Sequence, residues 1–164
     1  MKKLTPLIFA VFFCFPAQAD ESYSLYLVRH AEKQNDQENP SLTQCGQLRA
    51  KQLASMLELT DIEAVYSTSY QRTMQTATPT AKKFELAIKN YAPNRLEQLA
   101  HQLKQAKKNT LVVGHSNTTP QLARILSEEE VAPIPETEYQ MLYQIQIDGA
   151  GKKLTLLKQP LLCK

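Results

Sequence analysis

Short apolar runs alternate with helix-like segments along this chain, and no other feature constrains its fold as strongly. Strand-like runs are predicted at residues 24–29, 62–67, 86–91 and 110–114. Strands that alternate with helices favour a mostly parallel sheet covered on both faces. Residues 139–147 and 153–157, joined by Asp148-Gly149-Ala150-Gly151, form a predicted hairpin at an antiparallel edge. The predicted fold is therefore an α/β protein, a three-layer α/β/α sandwich.

The segments between the strands have the spacing of amphipathic helices. Helices are predicted after an N-cap at Thr43, over residues 70–84, from residue 93 or 94, and over residues 118–126. Proline removes a helix hydrogen bond and clashes with the preceding turn, so we expect a kink or break at Pro79. Residues 128–138, here called the flap, are acidic and contain prolines. We expect the flap to close over the site and to influence substrate choice.

The first nineteen residues differ in kind from the rest of the chain. Lys2 and Lys3 precede an apolar stretch over residues 7–15, and the small-x-small pattern Ala17-Gln18-Ala19 follows. This pattern indicates a secretory signal peptide, and the apolar stretch is shorter than the roughly 20 residues that span a membrane. We expect residues 20–164 to form one periplasmic or secreted domain without a membrane span.

Cysteine content and charge add two smaller expectations. Export would place Cys45 and Cys163 in an oxidising compartment, which permits a disulfide between them; two separate buried thiols are the alternative. The formal net charge is +3, and no run of Lys or Arg exceeds two residues. This charge favours anionic ligands mildly and does not indicate nucleic acid as a partner.

Basic side chains follow three of the predicted strands. Arg29 and His30 come directly after the first strand, Arg72 shortly after the second, and His115 directly after the fourth. The carboxyl ends of parallel strands meet at one edge, where open α/β sheets bind ligands. A histidine can attack phosphorus, and arginines clamp phosphoryl oxygens. The sequence therefore predicts a phosphate pocket that contains a nucleophile.

Four motifs occur in order along the chain: residues 27–33 (LVRHAEK), 42–46 (LTQCG), 66–77 (YSTSYQRTMQTA) and 112–118 (VVGHSNT). In combination they resemble the histidine phosphatase superfamily, also called the phosphoglycerate mutase-like family. The short length resembles the small bacterial members, such as the phosphohistidine phosphatases, which lack the large helical insertion of the mutases. The resemblance also implies the three-layer fold.

The resemblance implies a role for each basic residue. His30 is the implied nucleophile that becomes phosphorylated, and Arg29, Arg72 and His115 are the implied phosphate pocket. No metal or cofactor is implied. A zinc site built on His30, His115 and Glu32 is the competing idea, but the flanking arginines would repel a divalent cation.

Two departures from the family pattern bear on mechanism. Members usually carry a carboxylate general acid after the third strand, whereas residues 89–97 contain none before Glu97. Glu32 and Glu138 are the other candidates, and we expect a preference for substrates with activated leaving groups. Mutase-like members place a phosphate-contacting Asn six residues after the nucleophile. Here Asn35 is five residues after His30 and Asp36 is six, which disfavours mutase activity.

The sequence thus predicts an exported phosphatase that hydrolyses phosphomonoesters or phosphoramidates. Its candidate substrates are phosphorylated small molecules, envelope sugars and phosphoproteins, with Glu32, Asn35 and Asn117 as candidate substrate-binding residues. Two alternatives remain open: a pseudoenzyme that binds phosphate ligands without turnover, and a structural or interaction protein that keeps only the fold.

Overall fold

The computed structural model describes residues 22–35 and 38–161. Within these residues, six strands form one sheet in the order β3-β2-β4-β1-β5-β6. The strands are β1 Tyr23–Arg29, β2 Ala64–Ser67, β3 Ile88–Asn90, β4 Thr110–Gly114, β5 Met141–Asp148 and β6 Gly151–Lys158. The helices are α1 Gln44–Met56, α2 Gln71–Lys83, α3 Leu96–Ala106 and α4 Thr118–Ser127. Strands β1 to β4 pair in parallel, whereas β5 and β6 are antiparallel. The predicted sheet is confirmed.

The two faces of the sheet pack against different pairs of helices. Alternate residues of a strand point to opposite faces, so Leu25 and Leu27 of β1 join one core while Tyr26 and Val28 join the other. The first core contains leucines of α3 and α4, and the second contains apolar residues of α1 and α2. The predicted three-layer α/β/α arrangement is therefore confirmed.

The helices begin close to where the sequence predicts them. Thr43 caps α1, and its hydroxyl accepts a hydrogen bond from the backbone N–H of Gly46 at 3.1 Å. Helix α2 runs unbroken through Pro79, so the predicted break at this proline is wrong. Ala77 and Ala81 are buried against the sheet, and this burial outweighs the loss of one backbone hydrogen bond.

The flap connects α4 to β5 without forming a helix or strand. Ile134 is buried in the core between α3, α4 and the sheet, and Val131 packs against the same core, so two apolar side chains anchor the flap. No helix in the described part of the chain is long and apolar enough to cross a membrane.

Several predictions concern residues outside the described ranges. The predicted signal peptide, Asp36 and Cys163 all lie there. Cys45, at the start of α1, is disulfide-bonded. Because Cys163 is not described, its pairing with Cys45 stays a prediction.

Candidate active site

His30 occupies the carboxyl edge of the sheet, directly after β1. Its backbone N–H donates to the carbonyl oxygen of Gly114 at 2.9 Å, which continues the pairing of β1 with β4. The ring Nδ1 lies 2.8 Å from the carbonyl oxygen of Ala31. A carbonyl only accepts, so Nδ1 carries the proton and Nε2 keeps its lone pair. The chain itself therefore sets the tautomer that a nucleophile needs.

His115 follows β4 and lies beside His30. The two ring centroids are 5.7 Å apart. The Nε2 atom of His115 is 3.0 Å from the hydroxyl of Thr68, and the ring of Tyr70 stands perpendicular to it at 5.2 Å. When Thr68 donates to Nε2, the Nδ1–H of His115 is left to donate to a phosphoryl oxygen.

An open cavity of about 450 Å³ lies at this edge of the sheet. It is lined by His30, Lys33, Tyr70, Arg72, Pro93, His115, Ser116, Asn117, Thr118 and Glu136. Three of the four predicted basic residues therefore share one cavity. Arg29 is the fourth, and it does not line this cavity.

Arg72 projects from the first turn of α2 into the cavity wall. Its guanidinium carbon lies 4.5 Å above the ring of Tyr70, so the aromatic face holds the cation in place. A guanidinium in this position can donate two parallel hydrogen bonds to a phosphoryl group. The proximity of Arg72 to both imidazoles follows from β2 and β4 being parallel neighbours.

The N-terminus of α4 forms another part of the wall. Ser116, Asn117 and Thr118 line the cavity, and the side chain of Asn117 accepts from the backbone N–H of Thr118 at 2.9 Å. Helix N-termini attract anions through their exposed N–H groups and dipole. Gly114 at the end of β4 packs tightly, because an added Cβ would lie 2.8 Å from the hydroxyl oxygen of Tyr91.

Arg29 is buried behind the cavity wall and binds the flap instead of lining the cavity as predicted. Its Nη1 donates to the carbonyl oxygens of Pro135, Glu136 and Glu138 at 3.2, 2.7 and 3.0 Å. Its Nη2 donates to the carboxylate of Glu136 at 2.6 Å, and Tyr139 stacks on its guanidinium at 4.2 Å. A buried charge needs acceptors, and the flap provides them. A direct role for Arg29 in phosphoryl binding stays a prediction.

Glu136 is the charged flap residue of the cavity lining, and sequence reasoning did not single it out. Its carboxylate accepts from the hydroxyl of Ser116 at 2.5 Å and from Arg29, yet its side chain is 77% exposed. The hydrogen bond from Ser116 is the main cause that lowers its pKa, so the group is ionised at neutral pH. Only its membership of the acidic flap signalled a role, since nothing in the sequence tells which flap glutamate reaches the cavity.

The three candidate general acids lie outside the cavity lining. Glu32 is held by Arg49, whose Nε lies 3.0 and 2.9 Å from its two carboxylate oxygens. Glu97 is exposed on the first turn of α3. Glu138 accepts from the backbone N–H of Gln140 at 2.6 Å. The positions of these carboxylates do not support a proton-donor role for any of them, nor a substrate-binding role for Glu32.

The two candidate substrate-binding asparagines separate in the structure. Asn117 lines the cavity, whereas Asn35 is exposed and lies outside the lining, with its side-chain oxygen 3.5 Å from the Nζ of Lys33. In the described part of the chain, no group of three His, Cys, Asp or Glu side chains is arranged to hold a metal ion.

Both imidazoles are neutral at physiological pH. Burial is the main cause that lowers the pKa of His30 to about 3, and the charges of Arg29 and Arg72 lower it further. Burial likewise lowers the pKa of His115 to about 4, with the same arginines assisting. A neutral His30 has the lone pair that attack on phosphorus requires.

A family model matches the part of the sequence that contains two of the cavity residues. The model of the histidine phosphatase superfamily (branch 1) matches residues 25–93, which include His30 and Arg72 and three of the four motifs. Over these residues the chain resembles this superfamily. The predicted resemblance to this superfamily is thereby confirmed, while no curated protein sequence matches the chain significantly.

Solved structures of several phosphatases share the fold of this chain over almost their whole length. One is the protein histidine phosphatase SixA complexed with tungstate, with a TM-score of 0.69 at 16% identity, covering 83% of this chain and 97% of the other. A putative alpha-ribazole-5'-P phosphatase from Escherichia coli K-12 has a TM-score of 0.68 at 16% identity, with coverages of 87% and 98%. A mycobacterial glucosyl-3-phosphoglycerate phosphatase has a TM-score of 0.64 at 13% identity, with coverages of 86% and 100%.

Proposed function

We propose that this protein is an exported phosphatase that hydrolyses phosphomonoesters or phosphoramidates through a phosphohistidine intermediate on His30. The observation that carries this proposal is the hydrogen bond from Nδ1 of His30 to the carbonyl of Ala31. It leaves Nε2 unprotonated in a cavity that also presents Arg72 and His115. These groups provide a nucleophile, a clamp for phosphoryl oxygens and a hydrogen-bond donor.

The proposed reaction has two steps. The lone pair on Nε2 of His30 attacks phosphorus, an N–P bond forms, and the bond to the leaving oxygen or nitrogen breaks with its electron pair on that atom. Arg72 and the N-terminus of α4 neutralise the charge on the phosphoryl oxygens in transit. Water then attacks phosphorus, the N–P bond breaks, and inorganic phosphate leaves as Nε2 regains its lone pair.

Leaving-group chemistry limits which substrates react quickly. Among the described residues that line the cavity, Glu136 is the one carboxylate, and its lowered pKa keeps it ionised. An ionised carboxylate does not protonate a leaving alkoxide, and general acid catalysis is typically worth about 10²–10⁴-fold. Aryl phosphates and phosphoramidates depend least on such a proton, so they are the preferred substrates under this proposal.

The similar structures support the choice of substrate class. Their names describe phosphatases of phosphorylated small molecules and of phosphohistidine in proteins. The cavity here is open and carries both cationic and aromatic side chains, which suits a phosphorylated small molecule or an exposed phosphorylated side chain.

Trapping the intermediate tests the proposal directly. Protein mixed with a ³²P-labelled aryl phosphate and quenched in alkaline detergent, where phosphohistidine survives, should carry label on His30. His30→Ala should carry none and should lose turnover. His101→Ala is the matched control, because it removes an exposed histidine on α3. Label that persists in His30→Ala would overturn the proposed nucleophile.

A pseudoenzyme that binds phosphate ligands without turnover is the second candidate. It is favoured by one observation, namely that Arg29 is held by the flap and by Glu136 instead of facing the cavity. Phosphate that raises the melting temperature, combined with absence of labelled His30 and of phosphate release, would identify this function.

Export is the remaining part of the proposal, and it depends on the residues before Asp20. Cell fractionation followed by N-terminal sequencing tests it. We expect a periplasmic or secreted protein that begins after Ala19. An intact Met1 terminus on cytoplasmic protein would contradict export without affecting the proposed chemistry.

A further inference from the structure

The cavity wall carries charges of both signs, although its proposed substrate is an anion. Among the described lining residues, Lys33 and Arg72 are the cations and Glu136 is the anion. Sites for phosphate alone gain nothing from a carboxylate, because like charges repel. The presence of Glu136 therefore calls for a reason connected with the rest of the substrate.

Glu136 is held in position. Arg29 is buried behind the wall and donates to one carboxylate oxygen, and the hydroxyl of Ser116 donates to the other. The same guanidinium binds three flap carbonyls, so the backbone around Glu136 is fixed as well. Each carboxylate oxygen can accept more than one hydrogen bond. The exposed side of Glu136 is thus a preformed acceptor that faces the cavity.

The cavity has room for more than a phosphoryl group. Its volume of about 450 Å³ compares with roughly 30 Å³ for one water molecule in the liquid. A phosphoryl group on His30 and Arg72 leaves most of this space to the group that carries it. That carrier group therefore lies within reach of the same wall as Glu136.

We infer that Glu136 is a specificity-determining residue, which favours substrates whose phosphoryl group is attached to a carrier bearing a protonated amine. This inference rests on the proposed function, since it names the substrate class of the same site. An ammonium group near the phosphoryl group donates to the exposed side of Glu136, whereas an apolar or anionic carrier offers this side no donor and leaves it beside the phosphoryl charge. The class consists of aryl phosphates and phosphoramidates that carry an ammonium group close to the phosphoryl group.

Two phosphonates test the inference without turnover. 2-Aminoethylphosphonate and propylphosphonate have the same chain length and differ in a terminal ammonium or methyl group, and their P–C bonds resist hydrolysis. We expect calorimetry to show that the wild-type protein binds the ammonium ligand about fivefold more tightly at low salt. The preference should shrink in concentrated NaCl, since screening weakens an exposed ion pair.

Glu136→Gln keeps the shape and an acceptor oxygen but removes the charge. In this variant the two phosphonates should bind equally, mainly because propylphosphonate gains affinity. Glu130→Gln is the control, because it removes the same charge from an exposed position of the flap outside the cavity lining. It should retain the wild-type preference, and melting temperatures establish that both variants are folded.

Three outcomes would overturn the inference. They are equal affinities in the wild-type protein, no measurable binding of either phosphonate, or a Glu136→Gln variant that binds both more tightly by the same factor. The last result would mean that Glu136 merely competes with phosphate for Arg29. Hydrolysis of an aryl phosphate on the same preparations separates the two proposals. Hydrolysis of the aryl phosphate without a preference for the ammonium phosphonate would contradict only this inference. A preference for the ammonium phosphonate without hydrolysis would contradict only the proposed chemistry.

Discussion

Two regions build the cavity, and different forces hold them. The strand-end region carries His30 and His115, which extend from β1 and β4 in the centre of the sheet, with a buried core on each face. The flap has no ladder of backbone hydrogen bonds, and side-chain contacts hold it, among them those of Arg29 and the burial of Ile134. Under the proposed function, the sheet fixes the reacting groups, while the flap influences which ligands reach them.

The largest effect we expect tests whether the strand-end region carries the chemistry. Arg72→Ala removes the guanidinium from the cavity wall, and kcat/KM for an aryl phosphate should fall by about 10²–10³-fold, as for the loss of a preorganised donor to a charged transition state. Arg95→Ala, an exposed arginine before α3, should leave the rate unchanged. A loss below threefold in Arg72→Ala would mean that the chemistry does not depend on this guanidinium.

The next effect concerns stability instead of rate. Arg49→Met leaves the carboxylate of Glu32 without the partner that holds it at 3.0 and 2.9 Å. The variant should lose about 2 kcal/mol of unfolding free energy, since one charge of a largely buried pair is left uncompensated. Lys83→Met breaks an exposed pair with Glu58 and should cost less than about 0.5 kcal/mol. Denaturant unfolding measures both.

The same variants sharpen the assignment of Glu32. If Glu32 only anchors the loop after His30, then Arg49→Met should keep kcat/KM within about threefold of the wild type at temperatures where it is folded. A large loss of rate without loss of stability would return Glu32 to the list of catalytic candidates.

A smaller effect is expected from the residue that orients His115. Thr68→Val removes the hydroxyl 3.0 Å from Nε2, and kcat should fall about tenfold because the imidazole loses its fixed tautomer. Thr78→Val is the control, since its hydroxyl bonds only to the carbonyl of Met74 within α2. Equal rates in both variants would show that Thr68 has no positioning role.

These predictions also separate what the sequence can and cannot reveal. His30, Arg72 and His115 were predictable because period and topology alone bring the ends of parallel strands together. Arg29 follows the same rule in sequence, yet its side chain lies among flap carbonyls. Which way a side chain turns at a strand end depends on acceptors supplied by a loop more than a hundred residues away.

Glu136 and Pro79 show two other limits of prediction from the sequence. Nothing in the sequence separates Glu136 from its acidic neighbours, because a flap without regular structure has no periodicity to read. Pro79 is a strong local signal against a helix, but burial of one face of α2 decides the outcome. Local sequence patterns predicted the helices and strands well. Long-range packing decided the positions at which the structure differs from the prediction.

The smallest effect concerns pH. The pKa of His30 is about 3 and that of His115 about 4, so neither imidazole should gain a proton between pH 7 and pH 5.5. NMR of the His101→Ala variant, which retains only these two histidines, should show imidazole C–H shifts that change little over this range. A midpoint near pH 6.5 for either ring would contradict the buried, arginine-flanked site.

The same lowered pKa values give stability a pH dependence of known sign. Unfolding restores the ordinary pKa of about 6.5 to both imidazoles. Below that pH the unfolded chain therefore binds protons that the folded site does not bind. The free energy of unfolding should therefore have its full value above pH 6.5, and it should fall as the pH drops toward 4. Phosphate should oppose this loss, since it stabilises the folded state.

The loop that follows the nucleophile is fastened to both helices on one face of the sheet. The backbone N–H of Ala31 donates to Thr76 of α2, while Gly46 of α1 lies so close to Glu32 that an added Cβ would clash with its carbonyl oxygen. The nitrogen proposed as the nucleophile is thus held by a rigid frame, apart from the flap. If the proposed function holds, exchanging the flap for another, by divergence or by engineering, would redirect the same reaction to new molecules.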